Sequence, residues 1–335
     1  MFETVRNAFK LKEIRSRIIY TLLMLVVVRI GTQLPVPGVN GSYFSEWFSG
    51  NSGSAFGFFD AITGGSFEKM SVFALNITPY ITSSIIIQLL TIAIPKLEEL
   101  QKDGEEGRKK MTAITRYLTV ALALMESLAM AIGFGKSGLL LEYNALNIIT
   151  AVVTLTAGST VIMWIGERIT ENGVGNGISI VLTINIISRI PQDLTLLFEQ
   201  FVKGKEIAFQ VLNLAIIIAI IIAVTVLTVT LQGAERRIPV QYSRKVQGRK
   251  QIGGQSSYIP LKVNTAGVIP IIFAQSLFMF PLIIMQLLGK SGGNGVGGTI
   301  LKMLNQSNWC DFNEPIYSIG LIVYIALVIA FAYFY

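Results

Sequence analysis

The sequence predicts an all-α, polytopic membrane protein with about eight spanning helices. Three observations predict it. Of 335 residues, 52% are hydrophobic and only 14% charged, against about a quarter charged in a soluble domain. Mean hydropathy is +0.60, and the apolar residues fall in runs close to the ~20 that a helix needs to cross hydrocarbon. Lys and Arg gather in alternate connecting segments, as in a chain oriented by its basic loops. There is no histidine and one cysteine, Cys310. Imidazole acid–base chemistry, His/Cys metal sites and an internal disulfide are thereby excluded.

Residues 1–17, MFETVRNAFKLKEIRSR, form a basic lead-in. Either Val5, Phe9 and Ile14 lie on lipid while Arg6, Lys10 and Lys12 face headgroups, or the segment is an ordinary positive-inside flank. The apolar run after it is too long for a signal peptide and lacks a small-residue cleavage pattern. The first span, Ile18–Leu34, carries Arg29 toward its outer end, where a long side chain can snorkel. Pro35–Ser71 is rich in Gly, Ser and Phe, neither apolar enough to span nor charged enough to be plainly solvated.

The second span, Val72–Ile94, is unusually polar, with Asn76, Thr78, Thr82, Ser83, Ser84 and Gln88. Pro79 is expected to interrupt it and free a carbonyl. Such a helix either lines an aqueous path or uses its polar residues as glue between helices. The third span, Ala113–Phe134, holds Glu126, the one carboxylate deep in a predicted span. It either marks an interior or pathway, or stays protonated and bonds a neighbouring helix. After the fourth span, Asn147–Gly166, comes GVGNG at 173–177. No strand precedes it and no Lys-Ser/Thr or ribose-binding acid follows, so it reads as a turn that starts the short fifth span, Ile178–Ile190.

Beyond the sixth span, Ile207–Leu231, the stretch Glu235–Asn264 carries seven Lys or Arg and one acidic residue. Arg244, Lys245, Arg249 and Lys250 surround Gly248, well away from either helix, and predict an exposed hairpin tip. A basic tip seeks a phosphate backbone, an acidic protein or anionic lipid; a generic membrane anchor needs fewer charges. The seventh span, Ala266–Leu288, leads to Lys290–Pro315, whose SGGNGVGG predicts a flexible loop. The eighth, Ile316–Tyr335, has no basic stop, so the chain is expected to continue.

With the N-terminus cytoplasmic, the inner segments 1–17, 95–116, 167–177 and 232–265 hold 5, 6, 1 and 7 basic residues, and the outer segments hold 7 in all. This bias sets the expected orientation. No nucleophile–base pair or paired carboxylate is present, so no catalytic centre and no cofactor are expected.

The stretches LPVPGV, FALNITPYITSSIIIQLL, KDGEEGRKK, GERITENGVGNGISI, ERRIPVQY…QGRK and IPLKVNTAGVIP run the length of the chain and are long and irregular. In them the chain resembles the SecY family, channel-forming subunits of the bacterial protein translocase. The resemblance implies ten helices in two inverted five-helix repeats around a central pore, here an N-terminal half (18–190) and an incomplete C-terminal half (191–335) without helices nine and ten. It implies a pore ring of Ile77, Ile81, Leu182, Ile186 and Ile272, branched apolar side chains that form a dewetted gasket. It implies a plug over about 58–71, filled by Phe58, Phe59 and Ile62 and hinged at Gly57, Gly64 and Gly65. It implies a lateral gate at Thr82, Glu126, Ser276 and Phe280.

The family further implies that Arg236, Arg237, Arg244, Lys245, Arg249 and Lys250 dock the SecA motor or the ribosome, with SecE and SecG as companion subunits. The substrate would be an unfolded secretory polypeptide and the setting the bilayer of a bacterial plasma membrane. The rival class is a small-solute secondary transporter, which predicts a polar midplane site with several coordinating groups. A third reading, a membrane receptor for the partner of the basic loop, predicts no conduction.

Overall fold

The computed structural model describes residues 10–51, 55–204, 206–240, 245–247, 250–252, 257–287, 296–304, 308–309 and 315–334. Two compact units divide the chain. The first holds residues up to Pro191 together with Phe273–Ala326; the second holds Gln192–Ile272 and Leu327–Tyr335.

In the first unit, α1 (Lys12–Gly31) packs along α7 (Ala145–Asn172). A connecting region follows with two short helices, α2 (Gly41–Asn51) and α3 (Ala55–Thr63). It is closed by the pairing of Pro35 with Ser71 and by bonds from Val36 N to Met70 O (3.1 Å) and from Val72 N to Leu34 O (2.8 Å). The segment is therefore folded rather than solvated: Phe44, Phe48, Phe67, Met70 and Phe134 form a core that Phe59 joins. Edge-to-face ring pairs at 5.0–5.2 Å tie Phe67 to Phe44 and Phe59, and Phe44 to Phe134. This geometry favours aromatic pairs beyond the area they bury.

Helix α4 (Thr78–Ala93) begins later than hydropathy suggests. Pro79 lies in its first turn instead of interrupting it, where the missing N–H costs no bond. Residues 72–77 are turns, and α4 bends by 105° into the charged helix α5 (Pro95–Lys102). Helix α6 (Gly104–Phe134) packs against α4, α5 and α7. Helix α8 (Gly177–Phe201) continues past Ile190 through Pro191. Its start is built as the GVGNG turn predicts. Asn176 Oδ1 accepts from Ile178 N (3.1 Å) and Ser179 N (3.3 Å), and Gly177 N donates to Thr170 Oγ1 (2.9 Å). These bonds satisfy donors that a helix start leaves open.

The second unit contains α9 (Ile207–Gly233), whose apolar side chains stand exposed from Phe209 to Leu231. A stripe of that extent is tolerable in lipid and not in water. Two antiparallel ribbons follow, β1 (Glu235–Val240) with β4 (Ser257–Lys262), and β2 (Lys245–Gln247) with β3 (Lys250–Ile252). Helix α10 (Ile269–Leu287) comes next; from Phe273 it belongs to the first unit, which holds the chain up to Ala326. The expected flexible loop contains a helix, α11 (Val296–Leu304), before α12 (Ser318–Phe334).

Among the described residues, four helices can cross a membrane by length and apolarity: α6, α7, α8 and α9; the bent pair α4–α5 makes up to five. The expectation of eight is thus met only in part. Among the described residues, α12 at 17 residues is slightly short, and α1 begins in the basic lead-in, with Lys12, Arg15 and Arg17 in its first turns.

Candidate channel, plug and gate

The segment expected to act as a plug is helix α3 and the turn after it. Asp60 organises the turn. Its Oδ1 accepts from Glu68 N (2.8 Å), while its backbone carbonyl accepts from Thr63 Oγ1 and Gly65 N, both at 3.1 Å. Asp60 is fully buried, and its second carboxylate oxygen forms an ion pair with Arg189 Nη1 of α8. Gly64 (φ +69°) closes against α8: a Cβ there would meet Asn185 O at 2.7 Å and Arg29 Nη1 at 3.1 Å. Arg29 therefore turns toward the α3 turn; its buried Nη1 makes no hydrogen bond among the described residues. Snorkelling does not describe it.

Asn76 ties the same segment to the spans. Its Nδ2 donates to Ile62 O (3.3 Å), and its carbonyl accepts from Ser159 Oγ on α7 (3.0 Å). Its φ of +50° is one that Asn tolerates better than most residues. Phe59 and Ile62 are half-buried; Gly65 is buried with φ +80°; Gly57 lies inside the helix; the side chain of Phe58 lies outside the described residues.

The ring residues are placed unequally. Ile77, Ile81 and Leu182 share one cluster with Val28, Phe73, Ile162, Ile165, Ile169 and Val181. Ile77 is fully buried there, Ile81 and Leu182 half-buried, and Ile186 is 47% exposed. Ile272 is half-buried and belongs to the second unit. Of the gate residues, Thr82, Glu126 and Ser276 are half-buried, and the side chain of Phe280 lies outside the described residues. Glu126 forms no ion pair among the described residues. Its neighbour Ser127 shares a 2.9 Å hydroxyl contact with Thr156 of α7. Of the other polar residues of α4, Gln88 is exposed, while Ser83 and Thr91 are buried, and Ser83 Oγ and Thr91 Oγ1 each donate to their own helix's carbonyl four residues back, at 2.7 Å.

The basic stretch forms the predicted hairpin, Gln247 opposing Lys250 across the tip. Arg236 and Arg237 are exposed on β1, and the Arg237 guanidinium lies 4.7 Å from the Tyr258 ring centre. Arg244, Arg249 and Cys310, and the side chains of Lys245 and Lys250, lie outside the described residues.

Sequence reasoning passed over Asp60, Asn185 and Arg189 as site residues. A signal was present: Asp60 is the one acidic residue between Glu46 and Glu68, and Arg189 the one basic residue between Arg168 and Lys203. Lone opposite charges in otherwise apolar stretches are candidates for a buried pair.

The SecY family profile matches residues 71–335. The chain is 40% identical over 340 residues to the protein translocase subunit SecY of Halalkalibacterium halodurans, covering all of this chain and 76% of that protein. It is 41% identical over 345 residues to the Bacillus subtilis subunit of the same name, with the same coverage. Among solved structures it is similar to a protein-conducting channel, with a TM-score of 0.61 and 19% identity over 94% of this chain and 70% of the other. Sec61 from a canine ribosome–channel complex has a TM-score of 0.58 and 18% identity, over 94% of this chain and 71% of its own.

Proposed function

The chain belongs to the SecY family, and from that premise we propose that it conducts unfolded secretory polypeptides across a bacterial plasma membrane and releases apolar segments sideways into lipid. It is a protein-conducting channel and not an enzyme. The observation that carries the finer reading is the docked α3 turn. A short helix outside the long spans is folded back onto α1, the turn that leads into α4, and α8 through Gly64, Asn76 and Asp60. A stopper needs this arrangement: seated by a few specific contacts, and tethered by turns on both sides.

Ile81, Leu182 and Ile186 supply the gasket, and Ile77 backs it from the core. An extended polypeptide can push such side chains aside, while a hydrated ion meets a dewetted girdle. Thr82, Glu126, Ser276 and Phe280 line the lateral gate. The basic ribbons dock the SecA motor or the ribosome on the cytoplasmic side, where the N-terminus also lies. SecE and SecG complete the complex. The transporter reading falls away, because the relatives are translocase subunits.

The test is crosslinking. With Cys310 replaced by Ser, single cysteines at Ile81 and Ile186 should each form a disulfide with a cysteine in a stalled secretory chain. A cysteine at lipid-exposed Leu227 should not. Equal crosslinking at all three positions, or none at the first two, would overturn the pore assignment.

A further inference from the structure

Resting on the reading of α3 and its turn as the plug, we propose that Asp60 and Arg189 form an electrostatic latch holding the plug on α8 and setting the channel's readiness to open. The contacts are specific. Asp60 Oδ1 closes the plug's own turn through Glu68 N (2.8 Å), leaving the other oxygen for Arg189. Arg189 stands one helical turn beyond Asn185, whose carbonyl is where α8 touches Gly64. Asp60 is completely buried and the Arg189 side chain only 13% exposed. Arg29 brings a second guanidinium to the same turn from α1.

Arg189 from the wall thus meets the plug's carboxylate, and Arg29 stands against the same turn at Gly64. Lifting the plug removes that carboxylate from Arg189. A buried charge deprived of its counter-charge is costly until water or a translocating chain reaches it. The latch therefore belongs to the energy gap between closed and open states, and it is released once the vestibule is wetted or occupied.

Asp60→Asn is the informative substitution. It retains shape and an oxygen for Glu68 N, and it loses only the charge. Translocase containing this chain is reconstituted into liposomes, and iodide leak through the resting channel is read from quenching of a trapped dye, per inserted channel. Asp60→Asn and Arg189→Gln should each raise the leak by roughly tenfold, a small part of what orphaning a buried charge can cost. Arg189→Lys, which retains the charge, should leak less than Arg189→Gln. The double variant Asp60→Asn/Arg189→Gln should leak no more than the worse single one, because directly paired groups do not contribute independently. Deletion of residues 57–67 is the control for the plug itself. If the deletion leaks and the single variants stay tight, the latch is wrong and the plug stands; single effects that multiply in the double variant also refute direct pairing. If the deletion stays tight, the plug reading falls and the latch with it.

Discussion

A Cβ placed on Gly158 would stand 1.9 Å from the carbonyl oxygen of Val72. Backbone meets helix here with no room for a methyl group, one residue before Ser159 bonds the Asn76 carbonyl. Gly158→Ala must push α7 away from the turn that leads into α4. It should destabilise the protein by about 1–3 kcal/mol, as overpacking does. The midpoint of thermal unfolding of the detergent-solubilised protein should fall, and an unchanged midpoint would contradict the packing. At this scale the sequence was only partly readable. Asn76 and Ser83 stand side by side in a polar list, yet Asn76 pins a distant carbonyl while Ser83 satisfies itself within its own helix. Hydrogen-bond partners depend on which segments meet, and residue type does not carry that.

Elements were more legible. The runs of apolar residues located all the long helices, and Asn176 and Gly177 marked the start of α8 for the reason their chemistry suggests. Pro79 misled: in the middle of an apolar run it looks like an interruption, but residues 72–77 never enter the helix. Ala74 N and Asn76 N donate within the turn to Ser71 O and Phe73 O, both at 2.9 Å, and Asn76 O accepts from Ser159 instead. The β2–β3 hairpin forms where the basic residues around Gly248 suggest. β1 and β4 expose residues on both faces and bury little, so the pair is a projection and not part of a core. A docking function predicts that reversing Arg249 and Lys250 to Glu weakens binding of the cytoplasmic partner by roughly tenfold or more, since like charge is then presented to an anionic surface. Binding isotherms against ribosomes or purified motor at fixed salt would check this. The resting ion leak of the same variant should not change, and normal binding would remove the assignment.

For the whole molecule, the balance between sealed and open states decides function. A half-buried Glu126 without an ionic partner among the described residues is a poor seam for a membrane-facing gate, and a replaceable one. Glu126→Leu should make the seam more apolar, favour closure and lower export of proteins with weak signal sequences severalfold. Strong signal sequences, which supply their own apolar helix, should be less affected. Export of a reporter bearing a crippled signal sequence is the measurement; unchanged export would count against a gating role.

The sequence by itself determined that this chain is helical, spans a membrane many times, carries its positive charge on particular loops and belongs with protein-conducting channels. Those properties are sums over many residues, through hydropathy, charge bias and long irregular motifs, so no single contact can reverse them. Only the tertiary structure decided that a Gly- and Phe-rich connector is a folded, docked element. The same is true of the pairing of Asp60 with Arg189 across 129 positions of chain, and of the burial of Ile77 beside the exposure of Ile186. Those facts turn on which surfaces come within a few ångströms of each other, and proximity between distant segments is fixed by packing rather than by local composition.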